Sequence, residues 1–181
     1  MKVKKLNIAI IPARYGSKRI KHKNIKKFIT KPIILYVIDL LKKTKFFDLI
    51  VVSSDNKRIL NIAKQGGANY LINRPKELAN DKVDTRSVIL HSISELEKIY
   101  ELKKIFCVYP TSVFLTKKII KNALELEKRT KNYVFSAIQY DHPIQRSFTK
   151  NYKNIKLNNP KKIFSRTQDL KKIIMMQHNS I

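Results

Sequence analysis

The sequence predicts an open α/β layer fold: a mostly parallel sheet with helices on both faces, followed by an extended excursion after residue 140. Three observations carry this. Leu6–Pro12 and Leu49–Ser53 are near-continuous apolar runs of strand length, the pattern of strands covered on both faces. Segments with helical spacing separate such runs. The alternation of strand and helix repeats along the chain, as right-handed crossovers between parallel strands require.

The elements follow in order. After the first strand, Lys31–Thr44 places Pro32 in a first turn and Ile34, Val37, Ile38 and Leu41 along one helical face. Leu49–Ser53 is the second strand. Asp55 is positioned to cap a helix over Asn56–Gln65, which stops at Gly66–Gly67. Tyr70–Ile72 is a short third strand, and Thr85–Tyr100 a helix with Val88, Ile89, Ser92, Ile93, Leu96 and Ile99 on one side. Ile105–Tyr109 is a fourth strand, Thr116 caps a helix to about Arg129, and Tyr133–Ile138 is expected as a fifth. From there the periodicity fails. Residues 141–169 hold Pro143, Pro160 and scattered Asn, and read as either a partner-binding arm or a long loop. Residues 171–181 carry no recognisable strand or helix. The expected organisation is therefore an α/β domain over 1–140, an excursion over 141–170 and a separate tail over 171–181.

With 181 residues and 43% hydrophobic content, the chain suits one domain with a small appendage and can bury a core. No apolar run reaches the roughly 18 residues of a membrane-spanning helix. The opening MKVKKLNIAIIPAR reads as a core strand, since its apolar stretch ends in Pro-Ala-Arg and not in a small-residue cleavage site. The single cysteine, Cys107, cannot form an internal disulfide, and a reducing cytoplasm is expected. The net charge of +26 suggests an anionic partner. Lys, Ile and Asn are all encoded by A/T-rich codons, however, so genome composition is a competing source of much of that excess. Local density is the better signal. Residues 14–31 contain Arg14, Lys18, Arg19, Lys21, Lys23, Lys26, Lys27 and Lys31, and no acid.

Ligands of parallel sheets sit beyond the carboxyl ends of the strands. That rule gathers 13–27, 53–55, 73–81 and 110–112 around one mouth. The first strand runs directly into PARYGSKRIKHKN, where backbone N–H groups, Arg and Lys can hold a triphosphate, Gly16 permits close approach and Ser17 adds a hydroxyl. It is neither a Walker loop nor a dinucleotide GxGxxG loop. On spacing alone, a solvated basic loop fits as well.

IIPARYGSKRIKHKNI followed by Lys31-Pro32 resembles the start of the acylneuraminate cytidylyltransferase family. VVSSD at 51–55, NRPKELAND at 73–81, YPTSVFLT at 109–116 and HPIQR at 142–146 agree in the same order. HPIQR and FSRTQDL look most like the pseudaminic acid branch. The resemblance implies a Rossmann-type, nucleotide-diphospho-sugar transferase-like fold. It implies that CMP passes from CTP to an acidic nine-carbon nonulosonic sugar, with Mg2+ and release of pyrophosphate. Carried over residue by residue, it gives Arg14 and Lys23 catalytic weight. Arg14, Ser17, Lys18 and Lys23 would hold the triphosphate, Asn24 would position the nucleotide, and Arg74, Thr85 and Thr111 would lie near base or ribose. Gln145 and Arg146 are the candidates for the sugar, whose carboxylate suits a guanidinium fork. The metal ligands are not identified. The resemblance also implies a homodimer in the full-length form, with no nucleic-acid or membrane partner.

Each assignment has a structural competitor. Asp55 serves equally as a helix cap, and Asp81 as a cap or ion-pair partner. His91 lies within a predicted helix as a packed or surface residue, whereas His142 beside Pro143 has a better functional claim. Tyr109 stands where many sialic acid relatives have Gln, and Tyr15 where a Gly is common. Beyond QDL at 168–170 the resemblance breaks. Read from the third base of Ile173, the permitted codons give Tyr-His-Asp-Ala-(Thr/Ala)-Gln-Phe-Tyr, which resembles the family's continuation. The tail is therefore expected to be frameshifted, the alternative being a divergent terminus. Two rival functions stay open: a catalytically impaired CTP-binding remnant, and a basic nucleic-acid module, which lacks a zinc pattern, an aromatic RNA-binding motif or a heptad-bearing basic helix.

Overall fold

A computed structural model describes residues 4–150 and 154–176. These fall into two compact units that part between Val134 and Phe135.

The first unit follows the expected alternation. Strand β1 (Leu6–Pro12) leads through a 3-10 turn (Lys23–Ile25) to a small hairpin, β2 (Lys27–Phe28) with β3 (Lys31–Pro32). Then come α1 (Ile33–Thr44), β4 (Leu49–Ser54), α2 (Lys57–Gln65), β5 (Tyr70–Asn73), α3 (Thr85–Glu97), β6 (Leu102–Cys107) and α4 (Lys117–Thr130). The parallel sheet has the order β5-β4-β1-β6. Strand β1 thus lies where the order reverses, the position at which open α/β sheets form a ligand crevice.

Alternate side chains of β1 explain its near-continuous apolar run. Ala9 and Ile11 pack into a cluster with α1, α2 and α4, while Ile8 and Ile10 pack with Leu96 of α3 on the other side. Ile8, Ile10 and Ile11 are fully buried, each contributing about 1.5–3 kcal/mol of burial. Helix ends also obey the sequence: Asp84 accepts from Ser87 N–H at 2.7 Å and Thr116 caps α4. Gly66 ends α2 as expected.

Three expectations are corrected. Asp55 does not cap α2. Asn56 does, its side chain accepting from Arg58 N–H at 2.9 Å. The parallel sheet has no fifth strand among the described residues. Strand β7 (Ala137–Gln139) belongs to the second unit, with all three residues exposed, and pairs antiparallel with β10 (Ile174–Met176). A short apolar run fixes neither depth nor partner, and this strand's partner comes from distant sequence. Strand β10 in turn corrects the expectation that residues 171–181 lack a strand. The rest of that tail, 177–181, lies outside the described residues.

The second unit also contains an antiparallel pair, β8 (Phe148–Lys150) with β9 (Ile155–Leu157), and short 3-10 turns. Among the described residues no helix is long and apolar enough to cross a membrane.

Candidate active site

Beyond Pro12 the chain leaves the sheet under tight control. Ala13 N–H donates to Ser53 O at the end of β4, at 2.9 Å. The next peptide, Arg14–Tyr15, is held at both ends. Asn24 Nδ2 donates to Arg14 O at 2.7 Å, and Tyr15 N–H donates to Asp55 Oδ1 at 2.9 Å. Ser17 N–H then closes a turn on Tyr15 O at 3.0 Å. Between them Gly16 faces open space, with no atom within 4 Å of where a Cβ would stand. Tyr15 stacks on His22 with ring centroids 4.1 Å apart. His22 takes the left-handed conformation, φ 53°, and turns the chain into the 3-10 segment that buries Asn24.

This scaffold presents the predicted cations. Arg14 Nη1 pairs with Asp81 Oδ1, and Lys18 Nζ lies 2.6 Å from Asp81 Oδ2. Hydrogen bonds from Lys18 and then Arg14 hold the Asp81 carboxyl below its ordinary range. Lys23 is partly buried, which lowers its pKa, and the charges of Arg19 and Arg14 lower it further. Lys23 thus sits among like charges on this loop, where negative charge from elsewhere is favoured.

Arg74 lies deeper. Its Nε donates to Ser53 Oγ at 3.2 Å and an Nη to Ser53 O at 2.7 Å. Burial pushes its pKa down to about 10, Asp55 opposing that shift and Arg14 reinforcing it. Thr85, at the start of α3, lies with its Oγ1 2.6 Å from the Tyr109 hydroxyl. Thr111 is half-buried in the turn after β6. Its neighbour Ser112 is buried, and its hydroxyl has no hydrogen-bond partner among the described residues.

Arg14, Ser17, Lys18, Lys23, Asn24, Arg74 and Thr111 therefore stand on the segments that follow the carboxyl ends of the sheet strands, and Thr85 is the first residue of α3. Gln145 and Arg146 belong to the second unit. There Gln145 Nε2 donates to Lys171 O at 2.7 Å, while Arg146 donates to Ser165 O and, at 3.3 Å, to Thr167 Oγ1. His142 is exposed in the same unit, and His91 lies on α3. Sequence reasoning passed over Asp55 as a loop anchor and Ser112 as an unpaired hydroxyl. Adjacent Asp55 and Asn56 were the available signal for the first, since only one of two neighbouring capping residues can cap.

The carboxylates of the mouth are already engaged. Asp55 accepts from Tyr15 N–H and Asp81 is taken by two cations. No group of three or more His, Cys, Asp or Glu among the described residues is arranged to hold a metal ion. These carboxylates do not by themselves make a protein ligand set for the Mg2+ that the resemblance implies.

A sequence model described as cytidylyltransferase matches residues 8–177. The chain belongs to the cytidylyltransferase family. That match passes Leu170 and takes in β10. The chain is 38% identical over 172 residues to a pseudaminic acid cytidylyltransferase of Campylobacter jejuni subsp. jejuni serotype O:2, covering 92% of this chain and 73% of that protein. It is 37% identical over 166 residues to a Helicobacter pylori protein named pseudaminic acid cytidylyltransferase and UDP-2,4-diacetamido-2,4,6-trideoxy-beta-L-altropyranose hydrolase, covering 91% of this chain and 32% of that protein. The fold is similar to that of CMP:2-keto-3-deoxy-manno-octonic acid synthetase complexed with CTP. The TM-score is 0.67 at 14% identity, over 96% of this chain and 72% of that one. This cytidylyltransferase thus has the open α/β sheet that the alternation of its sequence predicted, of the Rossmann-like kind that the resemblance implied.

Proposed function

We propose that the chain transfers CMP from CTP to an acidic nine-carbon nonulosonic sugar, pseudaminic acid first among them, and releases pyrophosphate. The observation that carries this reading is the loop after β1, where Arg14, Lys18 and Lys23 crowd together and Asp81 pairs with two of them. The names of the Campylobacter and Helicobacter relatives support the choice of sugar.

In the proposed reaction the sugar's anomeric hydroxyl oxygen bonds to the α-phosphorus as the bond to pyrophosphate breaks. The hydroxyl proton leaves to solvent, and pyrophosphate departs with its charge. Catalysis of this kind rests on alignment and neutralisation, with no covalent enzyme intermediate. Arg14 and Lys18 exchange Asp81 for phosphate oxygens, and Lys23 adds a third cation. Asn24, through Arg14 O, keeps the first of these aimed. Arg74, Thr85 and Thr111 take the nucleoside side, and Gln145 and Arg146 the sugar carboxylate. Mg2+ enters the proposal only as a companion of the triphosphate oxygens. Two copies pairing, and work in a reducing cytoplasm with Cys107 as a thiol, complete the reading.

The test is pyrophosphate release by the purified chain from CTP in Mg2+ buffer, with pseudaminic, legionaminic and N-acetylneuraminic acids in parallel. Release that requires both CTP and one of these sugars is expected. Binding of CTP without release, or salt-sensitive DNA binding without nucleotide turnover, would overturn the reading.

A further inference from the structure

A carboxylate beside a phosphate cradle has the wrong sign for binding phosphate, yet Asp55 stands there. It follows the buried Ser54 at the end of β4 and precedes Asn56, the cap of α2. Its backbone is therefore fixed by a strand on one side and a helix on the other. Its Oδ1 accepts the Tyr15 N–H, while Asn24 Nδ2 donates to the carbonyl of the same peptide.

We propose that Asp55 is a positioning residue of this cytidylyltransferase, acting with Asn24 to clamp the Arg14–Tyr15 peptide from both ends and so fix the aim of the phosphate loop. The proposal rests on the reading of that loop as the triphosphate site. One peptide plane sets two directions at once. It orients the bond that carries the Arg14 side chain, and it starts the turn closed by Ser17 N–H on Tyr15 O. Gly16, inside that turn, faces open space and supplies no packing of its own to hold it. The clamp therefore fixes the peptide plane, while Tyr15 stacking on His22 and packing on the core hold the side chain. Asp55 also offsets part of the positive charge that Arg14 and Arg74 accumulate at this end of the sheet. The acceptor, not the charge, is the essential part: an amide oxygen at the same place satisfies Tyr15 N–H equally well.

The experiment compares Asp55→Asn, Asp55→Ala, Asn24→Ala and the Asp55→Ala/Asn24→Ala double variant in the full chain. Tryptic cleavage after Lys18, Arg19, Lys21 or Lys23 reports the loop, thermal unfolding reports the fold, and CTP turnover reports function. Asp55→Ala should speed loop cleavage at least tenfold and lower kcat by a similar factor, whereas Asp55→Asn should stay within about threefold of wild type in both. The double variant should be little worse than the poorer single one, because both side chains hold one peptide. Equal damage from Asn and Ala would overturn the proposal, since charge would then be what matters. So would multiplicative losses in the double variant, or wild-type cleavage rates in Asp55→Ala. If the variants cleave as described but wild type releases no pyrophosphate from CTP, the functional reading fails while the clamp stands.

Discussion

Arg14 and Arg146 are both partly exposed members of family-like motifs, and the structure uses them in opposite ways. The partner of Arg14 is the side chain of Asp81, a carboxylate on a different loop that also binds Lys18. Arg146 donates to the backbone carbonyl of Ser165 and to Thr167 Oγ1, within its own small unit. A guanidinium held by an exposed carboxylate can trade it for phosphate at little cost, because one anion replaces another. A guanidinium that satisfies its own backbone leaves a half-buried carbonyl bare when it moves. The first region can exchange its partner for a ligand. The second is first of all a brace.

The strongest way to break this contrast is to remove a cradle cation. Arg14→Ala or Lys23→Ala should lower kcat/KM for CTP by roughly ten- to a hundredfold, the span of about 1.5–3 kcal/mol for hydrogen bonds to charged groups. A change below about fivefold, roughly 1 kcal/mol, would mean that the residue does not grip the triphosphate. Thermal unfolding of these variants should hardly shift.

Arg146→Ala should behave in the reverse manner. It should expose the second unit to proteolysis and raise KM for the sugar acid several-fold, with KM for CTP within twofold of wild type. Differential proteolysis alongside initial-rate kinetics separates the two effects.

A smaller effect is expected at Asp81. Its depressed carboxyl pKa means the pairing is fully present above the ordinary carboxylate range and is lost only as pH falls through the lowered value. At neutral pH the counter-ion is always in place, so Asp81→Asn should lower KM for CTP two- to fivefold at low salt. The difference should shrink at high salt, where exposed charges are screened.

Cys107 sharpens the picture from the core side. Burial raises its thiol pKa to about 12, so almost no thiolate exists at pH 8. Native protein should resist thiol reagents and react only on unfolding, without loss of CTP turnover beforehand.

The first unit was legible because its signals are local. Strand β1 announces itself by an apolar run, α4 by Thr116, the end of α2 by Gly66, and the cradle by cations clustered with no acid between them. What failed depended on distant partners. Tyr133–Ile138 looked like a buried strand because apolar content was read as depth, whereas β7 is exposed and meets a strand from the end of the described chain. Asp55 looked like a cap because capping is a local rule. Its actual partner, Tyr15 N–H, is 40 residues away in sequence. Asp81, which the sequence leaves open as a cap or an ion-pair partner, is the latter, and its partner Arg14 lies 67 residues earlier.

The most direct measurement is a crystal structure of the chain with CTP bound. The triphosphate should lie on residues 14–24, with Arg14 and Lys18 turned from Asp81 to phosphate oxygens and the Arg14–Tyr15 peptide unmoved. A nucleotide lodged elsewhere, with Asp81 still holding both cations and the loop facing solvent, would contradict the account.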